Sequence, residues 1–115
     1  MKISVNIDRT FKGDIRIGVA DSSLKKGGNY SNPNWIYYDG GYVIGDGQNL
    51  IWKEGKDFKT GDTVTLTVDL EQGVVEWAIN KASQYKHYMP KLKDDRIKWV
   101  PILFMIDLGD SVEWL

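Results

Sequence analysis

Residues 60–80 read TGDTVTLTVDLEQGVVEWAIN, and this stretch constrains the fold more than any other. Val64, Leu66, Val68 and Leu70 alternate with Thr63, Thr65, Thr67 and Asp69. A period of two is that of a strand with one face on a core. Glu71-Gln72-Gly73 follows as a short turn, with glycine where a left-handed backbone is needed. Val75, Trp77 and Ile79 form the inward set of the return strand. Each large inward side chain contributes about 1.5–3 kcal/mol by leaving water. The outward threonines are good strand formers and make no catalytic set. The hairpin is therefore scaffold, and function is expected on the loops that it holds rigid.

The same alternation recurs along the chain. Ile3, Val5 and Ile7 share a face of MKISVNI, and Ile15, Ile17 and Val19 share a face of DIRIGVA, with Arg16 and Gly18 turned the other way. Residues 21–34 (DSSLKKGGNYSNPN) carry turn chemistry and are read as a long surface loop. WIYYDGGYVI (35–44) is aromatic, and its Asp39-Gly40-Gly41 break suggests a bulge or a close backbone approach. Asp46-Gly47 signals a tight turn before a short strand at 48–52, and a link through Phe58 returns to the hairpin. Residues 80–95 read as a second long loop. WVPILFM (99–105) is a strongly apolar strand whose Pro101 implies a start or edge position, and a last strand runs over 111–115. No stretch has helical periodicity. About seven to nine short strands in 115 residues predict an all-β sandwich or barrel, as a single domain over residues 1–115.

Composition removes several functions. A net charge of −1 gives no basic surface for nucleic acid. No segment is long and apolar enough to span a bilayer or serve as a secretion signal, so the expected compartment is the cytoplasm or nucleus. With no cysteine, disulfides, thiolate zinc sites and thiol catalysis are ruled out. The single histidine, His87, falls in a predicted loop and is read as solvated. Aspartates 39, 46, 57, 62, 69, 107 and 110 lie mostly beside glycine, as turn residues do, rather than as a catalytic pair. Neither a calcium loop nor a phosphate-binding loop is present, and no cofactor or metal is expected.

Strand by strand, the chain resembles the SPRY domain family. MKISVNI is similar to its opening strand, DIRIGVADSS to an Ile-Gly-Val strand ending in small residues, and WIYYDGGYVIGDG to its Trp, aromatic, Asp and Gly segment. FKTGDTVTLTVDLEQGVVEWAIN resembles the most diagnostic piece, and WVPILFMIDLGDSVEWL the closing strands. Two departures stand out: Lys81 follows Asn80 where the family usually has glycine, and the opening strand lacks an early aromatic. No strands of the longer form of the domain precede Met1, so the resemblance is to the short core. It implies two antiparallel sheets packed as a bent sandwich, and a non-catalytic module that recognises a peptide or protein surface through loops at one edge. Members often sit in ubiquitin-ligase adaptors, tripartite-motif proteins or large channels, so a monomeric module of a larger chain or complex is expected.

On that reading the binding residues are Lys26, Asn29 and Tyr30, then Trp35, Tyr37, Tyr38 and Asp39, then Met105, Asp107 and Leu108. The aromatics would be apolar anchors, and Asp39 and Asp107 would accept hydrogen bonds or pair with a basic partner. Trp35, Tyr37, Tyr38 and Tyr42 cannot all point inward, because strand neighbours face opposite sides. Trp77, Trp99 and Phe104 are assigned to the core, with a partner needed for the Trp77 indole N–H. The alternative function is a carbohydrate-binding module that stacks sugars on exposed Trp and Tyr rings.

Overall fold

A computed structural model describes residues 1–9, 15–24, 33–105 and 111–114. Within them the chain forms β1 (Lys2–Arg9), β2 (Ile15–Asp21), β3 (Trp35–Asp39), β4 (Tyr42–Gly45), β5 (Gln48–Trp52), β6 (Thr63–Asp69), β7 (Val74–Ile79), β8 (Ala82–Tyr88), β9 (Trp99–Met105) and β10 (Ser111–Trp114). One turn of 3-10 helix covers Pro90–Lys93. The strands make two five-stranded sheets, ordered β10-β1-β6-β7-β8 and β5-β4-β3-β2-β9, with antiparallel pairing throughout. The predicted sandwich is thus present.

The alternation of each strand fixes which side chains meet between the sheets. Val5, Ile7, Val64, Leu66, Val68, Val75 and Trp77 from the first sheet pack with Ile15, Ile17, Val19, Ile36, Tyr38 and Val43 from the second. Trp77 is fully buried, and its indole N–H donates to the Ile17 carbonyl at 2.8 Å, a hydrogen bond from one sheet to the other. Trp99 also belongs to the core, as expected. Pro101 lies on β9, the edge strand of the second sheet, where a missing ladder donor is tolerated.

Expectations for Leu70, residues 80–95 and Phe104 need correction. Leu70 is 44% exposed, because β6 ends at Asp69 and the turn takes Leu70 off the inward register. Residues 80–95 are not a long loop: Asn80 and Lys81 both take positive φ (51° and 70°) and turn the chain directly into β8. That edge strand carries few apolar residues, so its sequence lacks the alternation that marks β6. At the Asp39-Gly40-Gly41 break, read as a bulge or a close backbone approach, the structure shows the second: β3 ends and the chain reverses into β4. Close approach does occur there, for the Gly55 N–H donates to the Gly41 carbonyl at 3.0 Å. Phe104 is exposed, for a reason of register given below.

The outer face of the first sheet is mainly polar, with Tyr88 of the edge strand β8 its one large exposed ring among the described residues. Ser4 and Thr65 share a hydroxyl hydrogen bond of 2.9 Å, Thr63 Oγ1 donates to Asn6 Oδ1 at 2.8 Å, and Ser83 Oγ donates to Glu76 Oε2 at 2.8 Å. These side chains satisfy one another across strands and suit contact with water.

Candidate recognition face

Strand β3 decides the fate of the aromatic cluster. Ile36 and Tyr38 point into the core, which sends Trp35, Tyr37 and Asp39 to the outer face of the second sheet. Tyr38 is fully buried, so it is not a binding anchor, and this corrects the sequence expectation. Its ring packs on Phe58 at 5.2 Å, and its hydroxyl donates to the Lys56 carbonyl at 2.6 Å. Burial, helped by the negative charge of Asp57, pushes the Tyr38 hydroxyl up from 10.0 to about 12.

This shift predicts an alkaline instability with a definite sign. The fold holds the phenol proton more tightly than the unfolded chain does, so its contribution is complete below the unfolded value. Stability is expected to fall as pH rises from about 10 through about 12. Denaturant titrations across that window should show the fall, and Tyr38→Phe should flatten it. An equal slope in the variant would assign the effect to the other tyrosines.

Register assembles the outer face in rows. Phe104 on β9, Arg16 on β2, Asp39 on β3 and Tyr42 on β4 are successive partners. Ile102, Gly18, Tyr37 and Ile44 form the next row. Phe104 is outward because its partner Arg16 is outward, while Leu103, opposite Ile17, packs on the core. Phe104 and Tyr42 are 48% and 49% exposed. Trp35 and Tyr37 stack with ring centroids 5.3 Å apart, and the Arg16 guanidinium lies 5.2 Å above the Tyr37 ring. Arg16 Nε donates to Asp39 Oδ2 at 3.0 Å. Gly18 lies beneath Tyr37, since a Cβ there would sit 2.7 Å from the Tyr37 Cβ.

The start of β3 is held by a polar cluster that joins the two sheets. The Asp46 N–H donates to the Trp35 carbonyl at 2.8 Å. The Asp46 carboxylate meets His87 Nε2 of β8 at 3.0 Å and Lys91 Nζ at 2.8 Å, and Lys91 Nζ also donates to the Pro33 carbonyl at 3.3 Å. Burial pushes the Asp46 carboxyl up, but the hydrogen bonds and charges of His87 and Lys91 outweigh it and leave the group below its ordinary value. His87 is therefore not a solvated loop residue: it is on a strand, against a carboxylate. Sequence gave no sign of this pairing, which spans 41 residues. Among the described residues no three His, Cys, Asp or Glu side chains converge as a metal site.

Of the predicted binding residues, Trp35, Tyr37 and Asp39 come together on this side of the sheet, but Tyr37 is only 8% exposed and so is no open anchor, which corrects the expectation for it. Met105 closes β9 opposite Ile15. Lys26, Asn29, Tyr30, Asp107 and Leu108 fall outside the described residues. Arg16, Ile44, Ile102 and Phe104 were not foreseen as contributors, and Tyr42 only as one of four rings that could not all point inward. For Arg16 the signal existed, in its outward place between Ile15 and Ile17.

Among solved structures, the SPRY domain of human HERC1 superposes with a TM-score of 0.73 over 98% of this chain, at 15% identity and over 72% of that chain. The chain has the SPRY fold. The TRIM65 PSpry domain is similar at a TM-score of 0.69 and 12% identity, over 99% of this chain and 62% of that one. Neither a comparison with protein-family models nor one with curated proteins gives a match. In this SPRY fold the β6–β7 hairpin is the middle of the polar-faced sheet, and the aromatic face belongs to the sheet opposite.

Proposed function

We propose that the protein is an interaction module that binds a segment of a partner protein on the outer face of its second sheet and catalyses no reaction. One observation carries the reading: the two outer faces are unlike. Apart from Tyr88 on its edge strand, the first sheet presents Ser, Thr, Asn and Glu to water, whereas the second presents half-exposed Phe104 and Tyr42 beside Arg16, Asp39, Ile44 and Ile102, with Tyr37 buried among them. Aromatic and Arg side chains gathered on a rigid surface are the usual anchors of protein recognition. Similarity to SPRY domains of two other proteins agrees with this reading. A sugar platform is less well supported, because the Tyr37 ring is buried, with the Trp35 ring and the Arg16 guanidinium packed on it. We extend the proposal to an adaptor role in the cytoplasm or nucleus, which localisation of the full gene product by microscopy checks.

The test is affinity capture with the wild-type domain, a Tyr42→Ser/Phe104→Ser double variant and a Thr65→Ala control on the opposite sheet. The double variant should keep its melting temperature, since both rings are half exposed, yet lose about tenfold or more in partner recovery. The control should recover partners like wild type. Undiminished recovery by the double variant would remove this face from consideration.

A further inference from the structure

We infer that the Arg16–Asp39 pair reads a side-chain amide, so that the partner segment presents an Asn or Gln flanked by apolar residues. This rests on the interaction reading above and adds the chemistry of the contact. The pair sits in the row Phe104–Arg16–Asp39–Tyr42, between two half-exposed rings. A single hydrogen bond joins it, from Arg16 Nε to Asp39 Oδ2. Among the described residues, no hydrogen bond engages the terminal guanidinium nitrogens of Arg16 or the Oδ1 atom of Asp39. The side chains are 32% and 17% exposed, so water reaches these groups in the free protein.

Docking of apolar groups on Phe104 and Tyr42 strips that water away. Each spare donor or acceptor left bare then weakens binding, so the partner must replace the lost hydrogen bonds. Because the pair is neutral as a unit, a partner carboxylate is drawn to Arg16 and repelled by Asp39, and a partner ammonium meets the reverse. A neutral group with one acceptor beside one donor fits both members. The primary amide of Asn or Gln has this form, with its oxygen next to an N–H. A main-chain peptide group does not, because its trans geometry points C=O and N–H in opposite directions. Stacking of Arg16 on Tyr37 at 5.2 Å holds the guanidinium in place for such a contact.

The experiment uses fluorescent peptide pools with one central position fixed as Asn, Gln, Asp, Lys or Leu, flanked on each side by mixed Leu, Ile, Val and Phe. The proteins are wild type, Tyr42→Ser/Phe104→Ser and Arg16→Met/Asp39→Leu. The last exchanges the ion pair for apolar groups, a change that such sites usually tolerate in stability. Wild type should bind the Asn or Gln pool about tenfold more tightly than the Asp, Lys and Leu pools. Arg16→Met/Asp39→Leu should lose that preference and favour Leu. Equal binding of all pools, preference for Asp or Lys, or no binding of any pool overturns the amide reading. Equal pools that still lose binding in Tyr42→Ser/Phe104→Ser would leave the recognition face standing, whereas pools unaffected by either variant would count against both.

Discussion

Trp77→Ala is expected to destabilise the domain by about 3–5 kcal/mol, a large part of the 5–15 kcal/mol that holds a typical domain together. The side chain is fully buried between the sheets and lies 6.2 Å from the Tyr38 ring. Its loss opens a cavity that two β layers cannot easily close. It also leaves the Ile17 carbonyl without its indole donor. Trp77→Phe should cost less, since it keeps most of the volume and loses only the hydrogen bond and part of the ring. Urea midpoints of the three proteins check the order. A loss below about 1 kcal/mol for the alanine variant would mean that the sheets repack without this residue.

Gly18→Ala is the second large effect, and it acts through backbone rather than volume. A Cβ at Gly18 would collide with the Ile36 carbonyl oxygen and lie 2.6 Å from the Tyr37 Cα. These atoms belong to β3, the hydrogen-bonded neighbour of β2, and β9 holds β2 from the other side. Neither strand can move aside without losing pairing. The expected cost is about 3 kcal/mol, at the upper end for overpacking. Because Tyr37 lies directly over the site, partner capture should fall with it. Amide hydrogen exchange should show the damage concentrated on the β2–β3 ladder. Wild-type stability and exchange in this variant would show that β2 and β3 pair more loosely than the structure indicates.

The legible parts of the fold were those where one face is wet and the other dry. β1, β2, β6 and β7 announce themselves by alternation, and Trp77 could be assigned inward with a hydrogen-bond partner required. β8 could not be read, because ASQYKHY sets two tyrosines among Ala, Ser, Gln, Lys and His without an apolar period of two. Phe104 was misassigned because WVPILFM is apolar at every position, and only pairing with β2 decides which residues face in. The site was half legible. Parity along β3 showed that Tyr37 and Tyr38 must diverge, but not which of them is inside. The Arg16–Asp39 pair joins residues 23 apart, and the His87–Asp46 contact joins opposite sheets, so neither is visible before strand order is known.

The aromatic surface is carried on laddered main chain rather than on loops. A ligand arriving there has little to freeze in the protein, so association should avoid the entropic toll of coupled folding. Calorimetry of a bound segment would then show a negative heat capacity change in proportion to the apolar area covered. Changes of specificity could also arise one side chain at a time, by exchange of residues 16, 39, 42 or 104, while the β framework beneath stays as it is.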